Sequence, residues 1–189
     1  MTDASSAALP APIVLIGFMG SGKSSVARRA SRLLHRAVSD LDALIEAEVG
    51  YPVAQYFARV GEASFRDRET AALERALQSP DIVATGGGIV GRETNRALLR
   101  EASERGAHIV YLRAQPATLT ARIRRQPGQR PLIDGDGGPL DWDTTLQRVE
   151  EILATREPFY RACATLILDT DRGNAQSVAA RLARCIQEG

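Results

Sequence analysis

The sequence has almost no net charge to offer a polyanion: 24 Lys and Arg face 23 Asp and Glu, which leaves +1 at neutral pH. The electrostatic footprint of a general nucleic-acid or membrane-surface binder is therefore missing, and small-molecule partners are expected. No apolar run approaches the roughly 20 residues that span a bilayer. Residues 1–12, rich in Ala, Ser and Pro, have neither the basic start nor the apolar stretch of a secretory signal and read as a disordered leader. A cytoplasmic location follows. Cysteine is nearly absent too, and Cys163 and Cys185 alone make no disulfide framework, which fits a reducing compartment. The two histidines, His35 and His108, stand at no metal-ligand spacing.

What is present suits one domain, residues 13–189: 189 residues with 44% hydrophobic content can build a single substantial core. Ile13 to Ile16 is a short apolar run stopped by Gly17, the mark of a strand buried on both faces of a parallel sheet. Ser24 to Leu34 then repeats apolar residues at helical spacing. A second helix is expected from Leu41 to Val49 with Gly50 as its C-cap, a short one after Pro52, and another from Glu62 to Leu77. Further strands are read at Ile82 to Ala84, Ile109 to Leu112 and Thr165 to Leu168. Helices are read at Thr94 to Arg105, Pro116 to Arg125, Thr145 to Arg156 and Ala175 to Ile186. Strands alternating with helices imply an α/β fold, a doubly wound parallel sheet that takes its ligands at the carboxyl ends of the strands. Residues 126–141 break the pattern with a dense set of glycines and prolines, and a stretch of that kind reads as a mobile lid.

Gly17 to Ser24 fits G-x-x-x-x-G-K-[ST] at every fixed position, directly between a strand and a helix. Glycines let successive backbone N–H groups turn inward, so the loop and the positive end of the helix cradle the phosphates of ATP. Lys23, expected to face solvent rather than the core, adds a charge on the transferring phosphate, and the Ser24 hydroxyl is placed to ligate Mg²⁺. Asp40 and Asp42 follow the second strand with alternate orientation. One suits the water shell of Mg²⁺, assigned to Asp40, and the other suits the acceptor hydroxyl. Helix capping explains either aspartate taken alone. Gly86 to Gly88 lets backbone approach a ligand closely. Arg66, early in its helix, reads either as an anion ligand or as part of a solvated face. Arg156 reads either as a pocket residue or as a complement to its helix dipole. Arg130, inside the lid segment, can bring a cation over the phosphates when the lid closes.

In order along the chain, GFMGSGKSS at 17–25, DLD at 40–42 followed by Ile45 and Glu46, GEASFRDRE at 61–69, TGGG at 85–88, QRPL at 129–132 and REPFYRACA at 156–164 make this sequence similar to the shikimate kinase family. The resemblance implies a three-layer P-loop fold like that of nucleoside monophosphate kinases, with a five-stranded parallel sheet in order 2-3-1-4-5. It implies transfer of phosphate from ATP to the 3-hydroxyl of shikimate, with Mg²⁺ as cofactor and a monomeric enzyme. By position, Gly20, Ser21, Gly22, Lys23, Ser24 and Ser25 correspond to the phosphate site, with Ser24 and Asp40 toward the metal. Asp42, Arg66, Gly87 and Arg156 correspond to the shikimate site, Arg130 to the lid arginine, and Arg125 and Arg172 to the adenine contacts. Lys23, Asp42 and Arg130 would carry the catalysis. Two rivals stand beside this reading: a kinase of another small acid, such as gluconate, and a non-catalytic sensor related to the family. The sensor is disfavoured by the short leader before Ile13 and by the presence of Lys23, Asp40, Asp42 and Arg130.

Overall fold

The structure, a computed structural model, describes residues 10–125 and 140–188. Five parallel strands, β1 (Ile13–Ile16), β2 (Val38–Asp40), β3 (Ile82–Ala84), β4 (His108–Arg113) and β5 (Leu166–Asp169), form one sheet in the order β2-β3-β1-β4-β5. Strand β1 lies at the centre, with Ile13 level with Ile82 on one side and with His108 on the other. All four of its side chains are fully buried, as an uninterrupted Ile-Val-Leu-Ile run with helices on both faces requires.

Alternation along the strands sorts the core into two layers. Ile13 and Leu15 join Ile82, Val110 and Leu112 against the apolar stripes of α1 (Lys23–Leu34) and α7 (Ala175–Glu188). Val14 and Ile16 point the other way, with Val83, Ile109 and Tyr111. That second face is covered by α2 (Leu41–Val49), α3 (Val53–Ala76), α4 (Glu93–Glu104), α5 (Pro116–Arg125) and α6 (Trp142–Cys163). Every crossover returns to a parallel strand, so the loops after β1, β2, β3 and β5 gather at one edge of the sheet.

Most expected elements stand within a residue or two of their expected bounds, and two differ instructively. Helix α3 is continuous in name but breaks at Gly61 (φ 82°, ψ 168°), so the short helix after Pro52 and the longer one from Glu62 survive as two pieces. Helix α6 is far longer than the stretch expected from Thr145 to Arg156. It starts on Asp141, whose carboxylate accepts from Thr144 N at 2.9 Å, and runs through Pro158 to Cys163. A proline inside a helix costs about 3 kcal/mol. Tyr160, fully buried and stacked on Tyr111 with ring centroids 5.0 Å apart, offsets that by packing the last turns onto β4. Arg156 therefore sits in the body of a helix, and dipole complementarity at a C-terminus does not account for it. The expected leader lies outside the described residues except for 10–12, and the expected lid, with Arg130, except for 140–141.

Where β1 turns into the glycine loop, Gly17 has φ 142°, and a Cβ there would stand 2.6 Å from the Leu112 carbonyl oxygen of β4. Gly50 at the end of α2 also has positive φ, but nothing lies within 4 Å of its missing Cβ. Gly50→Ala should therefore cost only the left-handed strain of about 1–2 kcal/mol. Gly17→Ala should cost clearly more, because strand β4 cannot yield. Urea unfolding of the two variants side by side checks the order; equal losses would mean that the Gly17 clash relaxes freely.

Candidate active site

The glycine loop begins where β1 ends and closes onto α1, which starts at Lys23 with no side-chain cap on its first amides. Those N–H groups are left for an anion, and Ser21 N, donating to Phe18 O at 3.2 Å, fixes the loop beside them. Lys23 is buried at 8% exposure, a correction to its expected solvent-facing position. Its Nζ donates to Gly17 O at 2.8 Å and Phe18 O at 2.9 Å, so the loop holds its own cation in place. Burial lowers the Lys23 pKa to about 8, and Asp42, Asp40 and Glu69 oppose that shift. Ser21 Oγ is buried with no hydrogen-bond partner among the described residues.

Asp40 ends β2 and caps α2 in position only, because its side chain makes no capping hydrogen bond. Asp42, one residue into α2, is half-buried. Desolvation raises its pKa to about 6; Glu69 and Asp40 add to the shift and Lys23 offsets part of it. Glu69 of α3 is completely buried, accepts from Arg66 Nη1 at 2.8 Å through Oε2, and leaves Oε1 without a hydrogen-bond partner among the described residues. Burial pushes its carboxyl upward against the pull of Arg66 and Arg156. Arg66 is accordingly paired, with Glu62 as well as Glu69, and neither an unpaired cation nor a plainly solvated one. Sequence reading missed Glu69, although its i+3 spacing from Arg66 was a usable signal.

The glycine turn explains why three side chains are missing in a row. A Cβ on Gly86 would stand 3.2 Å from Asp42 Oδ1 and collide with Glu69 Oε1. One on Gly87 would lie 3.0 Å from Met19 N, and one on Gly88 would lie 2.6 Å from Arg66 Cζ. The turn thus runs between the phosphate loop, the two acids and the α3 arginine with room for backbone only. From α6, Arg156 Nη1 donates to Gly87 O at 3.2 Å, and the Tyr160 hydroxyl donates to the same carbonyl.

A cavity of about 480 Å³ connects these parts. Gly20 to Ser25, Asp42, Thr85, Gly87 and Gly173 to Ala175 line it. Arg66 and Arg156 stand just beyond Gly87. Arg125 and Arg172 are exposed and do not line the cavity. Arg122, rather than the expected Arg125, does line it, donating to Thr170 Oγ1 at 3.0 Å and to Gly20 O at 3.4 Å. One helical turn separates 122 from 125, and spacing alone could not say which arginine faces inward.

This set of parts has relatives. The family model described as shikimate kinase matches residues 19–187. The chain belongs to the shikimate kinase family. A curated shikimate kinase from Symbiobacterium thermophilum is 40% identical over 178 residues, covering 93% of this chain and 96% of that protein. The solved shikimate kinase from Acinetobacter baumannii in complex with shikimate is 30% identical and superimposes with a TM-score of 0.81 over 95% of this chain and 94% of its own. A gluconokinase from Sinorhizobium meliloti reaches a TM-score of only 0.55 at 22% identity over 95% of this chain and 97% of that one, and shares the fold alone. Like its family, the chain is an ATP-dependent phosphotransferase, and the five-stranded sheet in order 2-3-1-4-5 is the family's P-loop fold.

The raised pKa of Asp42 has a stability consequence. A carboxyl whose folded pKa exceeds its unfolded value favours the fold below the unfolded pKa, and that contribution is lost as pH rises through about 6. Asp42→Asn, which mimics the neutral form, should therefore raise the Tm of the ligand-free protein at pH 7.5 by about 2–4 °C or more. The gain should shrink toward zero near pH 4. Thermal melts across that range check it, and a pH-independent difference would mean that Asp42 carries no unfavourable charge in the fold.

Proposed function

We propose that this chain transfers the γ-phosphate of ATP to the 3-hydroxyl of shikimate, with nucleotide and acceptor meeting between the glycine loop and the turn at Gly87. The observation that carries the reading is continuity: Asp42 and Gly87 line the same cavity as the phosphate loop, and the two arginines that suit a carboxylate stand against the glycine turn, Arg156 at Gly87 and Arg66 at Gly88. A monomeric enzyme, one domain over residues 13–189 and a cytoplasmic location complete the proposal. Among the described residues no helix is long and apolar enough to cross a membrane.

The residues divide the work by chemistry. On nucleotide binding, Lys23 exchanges the Gly17 and Phe18 carbonyls for phosphate oxygens; with a pKa of about 8 it is mostly charged at neutral pH. Loop amides from Gly20 to Ser25 take the remaining phosphate oxygens. Asp42, with a pKa of about 6, is mostly ionised at neutral pH, so it accepts a hydrogen bond from the attacking hydroxyl and orients it, and takes the proton as transfer completes. Arg66 and Arg156 hold the shikimate carboxylate, with charge-assisted bonds that also compensate Glu69. Arg125 and Arg172 are proposed toward the adenine end of the cavity and Arg130 over the phosphates, the first two on family correspondence and the last on family correspondence and its place in the segment read as a lid.

The donor set fits Mg²⁺. Ser24 offers a hydroxyl on the cavity wall, and Asp40 keeps a carboxylate unused by capping. Among the described residues no group of three or more His, Cys, Asp or Glu forms a metal cage, as suits an ion that takes few protein ligands and the rest from phosphate and water. When bound, the ion neutralises charge on the phosphate oxygens.

ADP release measured with ATP and Mg²⁺ should require shikimate, with gluconate giving no turnover above background and chelation abolishing it. Turnover on gluconate at a comparable rate would overturn the acceptor assignment. Arg66→Lys and Arg156→Lys should each raise the KM for shikimate about tenfold, because an ammonium cannot reproduce the planar two-bond fork. The KM for ATP should stay within about twofold. The reverse pattern would mean that the two sites have exchanged ligands.

A further inference from the structure

The acceptor-side arginines come from helices far apart in sequence, α3 and α6, and the turn between them has three residues without side chains to anchor it. The first turn of α4 supplies the anchor. Asn95 is fully buried, and its Nδ2 donates to Ile89 O at 2.9 Å, at the end of the glycine turn. A carbonyl only accepts, so this bond decides which end of the amide faces the turn. Oδ1 is left facing α3, where Thr70 Oγ1 lies 2.8 Å away. That same hydroxyl lies 2.9 Å from the backbone carbonyl of Arg66. The hydroxyl has one proton for these two acceptors; donated to Asn95 Oδ1, it ties the turn at Ile89 through Asn95 to Thr70 of α3, one helical turn beyond Arg66. The next residue, Arg96, holds the rest of the turn through Val90 O at 2.6 Å and Gly91 O at 3.2 Å, with its guanidinium 4.2 Å over the Phe159 ring of α6, three residues beyond Arg156.

A buried amide with both ends bonded adds little net stability over an apolar residue of similar size. What it adds is a defined separation between two backbones, which apolar packing enforces less sharply. Here the two backbones are those of the turn bearing Gly87 and of the helix bearing Arg66.

We propose that Asn95, acting through Thr70, is a positioning residue for the phosphoryl transfer: it holds the glycine turn and the Arg66 helix at the separation that lets both meet the carboxylate of the acceptor. This rests on the acceptor site described under the proposed function. Asn95 touches neither substrate nor nucleotide in this scheme, so its signature is selective loss of acceptor affinity.

The test compares Asn95→Leu, Thr70→Val and the double variant, with Arg66→Lys as reference, by steady-state kinetics in shikimate and ATP and by thermal unfolding. Thr70 is only half-buried and valine is its isostere, so that variant reports even if Asn95→Leu folds poorly. Each single change is expected to raise the KM for shikimate about fivefold to tenfold, with the KM for ATP within about twofold. The double variant should be no worse than the poorer single one, because both break the same chain. Lower Tm values with both KM values unchanged would make the amide purely structural and overturn the proposal, as would KM values for ATP and shikimate that rise together. If Arg66→Lys raises the shikimate KM while Asn95→Leu and Thr70→Val do not, only this inference falls. If Arg66→Lys itself leaves that KM unchanged, the acceptor-site reading fails first.

Discussion

Everything in the site depends on how closely two stretches of backbone approach each other. The phosphate loop after β1 and the glycine turn after β3 come from adjacent strands, and a Cβ at Gly87 would sit 3.0 Å from the amide nitrogen of Met19. That contact leaves no room for a side chain between the phosphate loop and the glycine turn, where nucleotide and acceptor are proposed to meet. Group transfer through a loose transition state gains mainly from held geometry and neutralised charge, and backbone contact of this kind supplies the geometry without relying on side-chain conformers.

Charge around that contact is arranged as a balanced cluster. Lys23 feels Asp42, Asp40, Glu69 and Arg156, Asp42 feels Glu69 and Asp40, and Glu69 feels Arg66 and Arg156. Each is partly stripped of water by the sheet and its helices, which is why Lys23 falls and Asp42 rises toward neutrality. In the free protein the cluster compensates itself: Lys23 rests on loop carbonyls and Arg66 on Glu69. Nucleotide and acceptor would replace internal partners with their own oxygens, so binding carries little cost of burying new unpaired charge. The orphaned Ser21 Oγ and Glu69 Oε1 mark where the internal set is incomplete.

Helix α6 shows how tertiary packing overrules local rules. Pro158 argues for a stop, and the stretch expected from sequence ends at Arg156; instead Tyr160 and Cys163 are buried and the helix continues. The difference reaches the candidate site, since the extra turns bring Tyr160 onto the Gly87 carbonyl that Arg156 also meets. On the nucleotide side the same logic applies to α5, where Arg122 reaches Gly20 and Thr170 while Arg124 and Arg125 remain exposed.

The sequence by itself determined the α/β class, the central place of Ile13 to Ile16 and the phosphate loop, because each rests on local physics: an unbroken apolar strand, glycines at fixed offsets and a lysine opening a helix. It also made Asp40, Asp42, the glycine turn and the two arginines legible as candidates, through motif order. Only the tertiary structure decided that Lys23 is buried, that Arg66 is already paired with Glu69, which arginine of α5 faces the cavity, and that Asn95 and Thr70 join the turn to α3. The last two outcomes are set by partners 25 to more than 100 residues away, as between Thr70 and Asn95 or between Gly20 and Arg122, and no local pattern encodes a contact whose other half lies on a different strand or helix.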